Sequence, residues 1–389
     1  MLTVLYLVPN AADAAVARRV SMLRQGGARV VLAGFRRAGT EWPKLDVIDY
    51  IELGETFDAN FRQRIGAVLR AAVGLRARFH GVAEPDLIIA RNLEMLALAD
   101  RLLGAWADRP AIGYECLDIH RLMLRGDAVG RAMRATERYF ARKASFLITS
   151  SPAFSREYFA AYRQSALPTV LLENKVLGAS ARATNPALAG NTQPLRIGWY
   201  GALRCGKSLA ALADFANVMK GAVEIELRGR PAHTEFNDFD GFVAAQRHLH
   251  FAGPYRNPDD LPAVYGGVHF AWAIDFFEEG QNSSWLLPNR LYEGPLHGAI
   301  PIAVEGTETA AFLKRHGIGV VLPDIRRQTL VEMIGNMQPE TVTALAAAVA
   351  AKDERLFAFS DDDCRDLVER LAGFATRAPA GAKTFEALA

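Results

Sequence analysis

The sequence predicts an α/β protein of two halves, each a parallel sheet wound with helices, with further helices at its C-terminal end. Three observations predict it. Short, wholly apolar runs alternate with helix-periodic segments through both halves, the pattern of parallel sheets covered on both faces. Residues 178–194 (GASARATNPALAGNTQP) are rich in small and polar residues without an apolar period, the composition of a linker. After Pro323 the pattern is helical only. A chain of 389 residues has room for two domains. The expected division is 1–177, a linker over 178–194, a second domain over 195–358, and a helix and tail over 359–389 that pack back on the first, with a cleft between the two domains.

The first half opens on the apolar run from Leu2 to Val8, stopped by Pro9-Asn10. Val16, Val20 and Leu23 then mark a helix that ends at Gly26-Gly27, and Arg29 to Phe35 gives the next strand. Further strands are predicted at Val47 to Leu53, Asp86 to Ala90, Ala111 to Glu115, Phe146 to Thr149 and Thr169 to Leu172. Long helices are predicted from Phe57 to Phe79, Leu93 to Trp106 and Ile119 to Lys143. The turn PNAAD after the first strand has no G-x-G-x-x-G, so this half lacks a dinucleotide fingerprint. The second half repeats the alternation from Leu195 to Leu322.

Composition narrows the function classes. The three cysteines (Cys116, Cys205, Cys364) are scattered, with no metal-ligand spacing, which points to a reducing compartment, the cytoplasm. No basic leader opens the chain and no apolar window is long enough to span a membrane. Residues 1–190 carry 26 Lys and Arg against 18 Asp and Glu, while the remainder is mildly acidic. A basic first half suits an anionic partner, and nucleic acid is not expected among them.

Two stretches carry chemistry. LRIGWYGALRCGKS, Leu195 to Ser208, reads as strand, turn and helix, with Gly201, Arg204, Lys207 and Ser208 around the turn. A helix N-terminus with two added cations is an anion site. Gly201-x-x-x-x-Gly206-Lys207-Ser208 also satisfies the P-loop pattern, in which Ser208 would hold Mg²⁺. YECLDIH, Tyr114 to His120, lies at the carboxyl end of a strand, where open α/β sheets collect ligands. Asp118 is the candidate general base there, with His120 second; an N-cap and a surface histidine are their structural alternatives. On the helix that follows, Arg131, Arg134, Arg138 and Arg142 share one stripe, suited to solvent, to acidic headgroups or to a lipid diphosphate.

PNRLYEGPLHGAIPIAV, Pro288 to Val304, resembles the donor-site signature of the group-1 nucleotide-sugar glycosyltransferases of the GT-B fold, P-x-K/R-x-x-E followed by a glycine and an apolar strand. Two Rossmann-like domains with a linker fit the same family, and the wider pattern is similar to that of bacterial enzymes of exopolysaccharide assembly. The resemblance implies that Asn289, Arg290, Leu291 and Glu293 lie at the donor, with Glu293 accepting from both ribose hydroxyls, and that Arg204 and Lys207 face the diphosphate. It also implies that Arg228 or Arg230 approaches base or phosphate. Many retaining members carry a second glutamate eight positions earlier, where this chain has Trp285, so both stereochemical courses stay open. The implied activity is sugar transfer from a UDP- or GDP-sugar to a lipid-diphosphate-linked saccharide, without cofactor or metal, with peripheral contact to the inner membrane through the basic half. A P-loop hydrolase and a noncatalytic binding protein of the same fold are the alternatives.

Overall fold

The computed structural model describes residues 1–37, 39–56, 61–178 and 193–375. The expected linker falls almost wholly, and the terminal tail wholly, outside the described residues. The chain divides into two compact units. The first holds residues 1–150, 154–172 and 361–389; the second holds residues 151–153 and 173–360.

The sheet of the first unit has seven parallel strands: β1 (Thr3–Val8), β2 (Arg29–Arg37), β3 (Asp49–Thr56), β4 (Leu87–Arg91), β5 (Ala111–Cys116), β6 (Phe146–Thr149) and β7 (Thr169–Leu171), in the order β3-β2-β1-β4-β5-β6-β7. β1, β4, β5 and β6 are buried along almost their whole length, which explains why they read as continuous apolar runs. The strand order reverses between β1 and β4, and such a reversal opens a crevice at the carboxyl edge of a sheet. Helix Asp361–Ala375 belongs to this unit: Phe374 stacks on Phe146 at 4.4 Å, and Cys364 lies against Gly26, where an added Cβ would fall 2.2 Å from the Cys364 carbonyl oxygen.

The second unit holds β8 (Val176–Leu177), β9 (Leu195–Leu203), β10 (Val223–Pro231), β11 (Leu249–Phe251), β12 (Phe270–Trp272), β13 (Ile300–Val304), β14 (Val320–Leu322) and β15 (Ala358–Phe359). Six of them form a parallel sheet, β11-β10-β9-β12-β13-β14, with its reversal between β9 and β12. The short β8 pairs with β15. Both strands of that pair lie in the second unit. Ile197, Trp199, Leu212, Phe215 and Trp272 centre the core on one sheet face, and Tyr200, Tyr265, Leu291 and Tyr292 the core on the other.

The single helix expected from Ile119 to Lys143 is two helices, Arg121–Leu124 and Ala128–Ala141. Asp127 breaks them apart: its carboxylate caps the second helix by accepting from Gly130 N–H at 3.0 Å.

Candidate functional site

In the second unit the site is built where β9 gives way to helix Gly206–Val218. Gly201 pairs with Gly229 of β10 across the sheet, both at positive φ. A Cβ on Gly229 would fall 1.9 Å from the Gly201 carbonyl oxygen, so only glycine allows this approach. The strand continues to Leu203, leaving only Arg204 and Cys205 between strand and helix.

This geometry overturns the P-loop reading. A phosphate-wrapping loop has no room, because Gly201 to Leu203 are strand. Ser208 is fully buried, and its hydroxyl accepts from the Trp272 indole N–H at 3.2 Å; its own N–H is capped by Cys205 Sγ at 3.3 Å. The reason is helical phase: position 208 shares the core-facing side with Leu212 and Phe215. Ser208 therefore supports the helix and does not reach a ligand.

Arg204 and Lys207 stand at the sheet's reversal point. Arg204 pairs with Asp275, just past β12, at 3.3 Å and lies over the Phe277 ring at 4.6 Å. Its buried Nε has no partner among the described residues. Lys207 Nζ meets Glu279 at 2.5 Å over the Phe276 ring. The two cations thus carry carboxylate counterions of the protein's own. Beside them the N–H groups of Gly206 and Lys207 precede the first intrahelical bond, Leu209 N to Cys205 O. Lys207, Asp275, Glu279, Ser283, Ser284 and Thr307 line part of a cavity of about 540 Å³.

The signature helix Arg290–Leu296 is packed on the other sheet face. Glu293 is buried, and its two oxygens accept from Asn257 Nδ2 at 2.7 Å and from the Tyr265 hydroxyl at 3.0 Å. Arg290 is buried too, donating to the carbonyls of Tyr200 at 3.1 Å and Ile274 at 3.5 Å, which ties the ends of β9 and β12. Leu291 is wholly inside the core, so its expected place at the donor is corrected: its side chain serves packing alone. Asn289 is exposed, and its carbonyl accepts from Glu293 N–H at 2.9 Å. Arg228 pairs with Glu226 at 2.6 Å and Arg230 is exposed at the end of β10.

In the first unit, Asp118 and His120 lie past the end of β5, both exposed, on a pocket of about 200 Å³ that Cys116, Met123, Met133 and Glu137 also line. His120 caps helix Arg121–Leu124, its Nδ1 accepting from Leu122 N–H at 3.2 Å. That bond uses the Nδ1 lone pair of the imidazole. Glu137 is buried, accepting from Tyr114 at 2.7 Å and Tyr158 at 2.6 Å. Burial raises its pKa above the ordinary carboxyl value, against the two hydroxyl hydrogen bonds, which lower it.

The arginine stripe is not uniform. Arg134 turns inward, donating to the carbonyls of Met123 and Arg125 and stacking over Tyr162 at 4.9 Å; its place in an outward contact surface is corrected. Arg131 and Arg142 are exposed and Arg138 partly so. Among the described residues, no cluster of three or more His, Cys, Asp or Glu could hold a metal ion, and no helix is long and apolar enough to cross a membrane.

Sequence reasoning missed the Glu115 network. Fully buried on β5, Glu115 accepts from Tyr6 at 2.5 Å, Arg19 at 2.8 Å and Arg91 at 2.7 Å. A carboxylate inside a wholly apolar strand was the available signal, since a buried charge demands partners.

No protein-family model matches the chain. The succinoglycan biosynthesis protein ExoL of Rhizobium meliloti is 51% identical over 384 residues, covering 97% of this chain and 95% of that protein. Sucrose-phosphate synthase from Thermosynechococcus elongatus superposes with a TM-score of 0.72 at 12% identity, covering 97% of this chain and 100% of that one. Anabaena HepE, solved with UDP and glucose, gives 0.66 at 15% identity over 96% of this chain and 100% of its own. WaaG, a glycosyltransferase involved in lipopolysaccharide biosynthesis, gives 0.63 at 12% identity, covering 94% and 99%. The chain belongs to the family of the succinoglycan biosynthesis protein ExoL, on the fold of the GT-B glycosyltransferases.

Proposed function

We propose that this glycosyltransferase moves a sugar from a nucleoside-diphosphate sugar, a UDP-sugar in particular, to a hydroxyl of a lipid-diphosphate-linked saccharide in exopolysaccharide assembly. The observation that carries the reading is the placement of Arg204 and Lys207 beside a helix N-terminus at the reversal point of the second sheet. The kinship with ExoL supports the pathway, and the complex of HepE with UDP and glucose supports the nucleotide.

In this reading the diphosphate takes the places of Asp275 and Glu279 on the two cations, so charge on the leaving group is met by Arg204, Lys207 and the free helix N–H groups rather than by a metal. Glu293 receives the ribose. Asp118 takes the proton from the acceptor hydroxyl as its oxygen bonds to the sugar C1. The C1–O bond to the diphosphate breaks, and its electron pair leaves with UDP. Trp285 in place of a carboxylate favours this inverting course. The exposed Arg131 and Arg142, with the half-buried Arg138, would meet anionic headgroups or the acceptor's diphosphate at the cytoplasmic membrane face.

The self-neutralised cations give a direct test. Calorimetry in EDTA should detect UDP binding to the wild type. Glu279→Gln, which removes the competing carboxylate, should tighten it by up to about fivefold, the scale of an exposed ion pair. Binding of a nucleoside triphosphate only with Mg²⁺, and no binding of UDP, would overturn the reading.

A further inference from the structure

Glu115 and Glu137 are both buried in the first unit, and they are held in opposite ways. Glu115 is paired with two guanidinium groups, Arg19 at 2.8 Å and Arg91 at 2.7 Å. Glu137, on helix Ala128–Ala141, forms no such pair among the described residues; its oxygens accept from the hydroxyls of Tyr114 at 2.7 Å and Tyr158 at 2.6 Å. A cation stands one turn earlier on the same helix, but the Arg134 guanidinium is turned to the carbonyls of Met123 and Arg125.

A buried carboxyl without a counterion is costly to ionise. Burial raises the Glu137 pKa above the ordinary 4.5, although the two hydroxyl bonds and the charges of Arg138 and Arg134 oppose it. Since the folded pKa is the higher one, the support this group gives to folding is full below about pH 4.5 and is lost as pH rises through the raised value. At neutral pH its ionisation works against stability. Stability therefore does not account for a glutamate here, and its location offers another reason. Glu137 and Asp118 line the same pocket of about 200 Å³, where Ile119, Met123 and Met133 supply an apolar side. None of the described residues lining it is a lysine or an arginine. Carboxyl groups beside an apolar wall, without a cation, suit the hydroxyls of a sugar ring better than a phosphate. The two tyrosines are themselves fixed, buried and set edge-on to Phe159 with ring centres at 6.1 Å and 5.1 Å. They orient the Glu137 carboxylate and use about two of its four acceptor positions.

We propose that Glu137 is an acceptor-binding residue, whose carboxylate, aimed by Tyr114 and Tyr158, accepts a hydrogen bond from a second hydroxyl of the acceptor sugar while the attacking hydroxyl faces Asp118. The assignment rests on the acceptor reading given above. It divides the work of one pocket: Asp118 takes the proton, and Glu137 orients the ring that carries it.

The experiment is sugar transfer by the full chain from a UDP-sugar to lipid extracted from polysaccharide-producing cells, with the lipid concentration varied. Glu137→Gln should raise the acceptor KM by about tenfold, the scale of one hydrogen bond to a charged group. An interaction made equally before and during reaction should leave kcat within about twofold. The dissociation constant for UDP should not change, and the variant should melt no lower than the wild type, because a buried charge has been removed. In the wild type the acceptor KM should fall as pH rises through a limb above pH 4.5, and Glu137→Gln should lose that limb. The groups facing Glu137 are Tyr114 and Cys116 of β5, Tyr158, Arg134 and Arg138, with Glu94, Asp118 and His120 around the pocket. Burial raises the pKa of Tyr114, Tyr158 and Cys116, so these stay neutral across the limb. Tyr158→Phe removes a bond that favours the ionised carboxyl and should move the limb to higher pH. An unchanged acceptor KM in Glu137→Gln, or a melting temperature lowered by several degrees, would show a structural role and overturn the assignment while leaving sugar transfer intact. No transfer to the lipid by the wild type would overturn the acceptor reading and this assignment with it.

Discussion

Asp118→Asn is expected to lower turnover by about 10²- to 10⁴-fold, the usual worth of a positioned general base, and to leave the dissociation constant for UDP unchanged. The asymmetry follows from where the residues lie. Asp118 is on a pocket of the first unit, whereas Arg204, Lys207 and Glu293 are all in the second. The competing base, His120, spends its Nδ1 lone pair on the helix cap, so His120→Asn, which can still accept that N–H, should cost far less turnover than Asp118→Asn. Single-turnover rates and UDP titrations on the two variants check this together. A large loss in His120→Asn with near-normal Asp118→Asn would reverse the assignment.

The second large effect concerns stability. Glu115→Gln is expected to destabilise the protein by about 3–5 kcal/mol, as when one partner of a buried ion pair is removed. Glutamine keeps the shape but leaves the Arg19 and Arg91 guanidinium groups buried around a neutral side chain. The same network sets a pH dependence. Burial disfavours ionisation of Glu115, but the charges of Arg91 and Arg19 and the Tyr6 hydrogen bond outweigh it and hold the carboxyl at about 2 instead of 4.5. Because the folded pKa is the lower one, the contribution is fully present above about pH 4.5 and is lost as pH falls from there towards 2. Urea midpoints for wild type and variant across this range should converge as the pH drops. Parallel curves would contradict the assignment.

How far the sequence reveals this molecule depends on the range of the interaction involved. The strands were legible because β4 (LIIAR) and β13 (IPIAV) are buried on both faces, and continuous burial leaves a continuous apolar run. The turn at Arg204 and Lys207 was legible too, since a strand ends and a helix begins within a few letters. Their partners were not: Asp275 and Glu279 lie some seventy residues on, and only the parallel packing of β12 beside β9 brings them near. Inferring an outside anion from two neighbouring cations overlooked carboxylates that the fold itself supplies.

Motif letters also failed where they are blind to helix phase. Ser208 and Leu291 fit their patterns, yet both face the core, and Arg134 shares a stripe with Arg131 and Arg138 while sitting at the edge of that helix's buried side. Arg134 carries a charge inward only because two main-chain carbonyls receive it. The side-chain bonds to the carbonyls of Trp285, Leu286 and Leu287 have no local signature at all. Their donors come from the stretch after β6, the stretch after β7 and a helix start, and each is an ordinary Ser, Asn or Thr until the chain is folded.

The central claim is sugar transfer from a nucleoside-diphosphate sugar to a lipid-linked acceptor, and the most direct measurement is UDP release from UDP-sugars in EDTA, with and without lipid extracted from polysaccharide-producing cells. The account predicts release only when both are present, with the sugar recovered in the lipid phase and both signals lost in Asp118→Asn. Phosphate release from a nucleoside triphosphate that requires Mg²⁺ and ignores the lipid would contradict it.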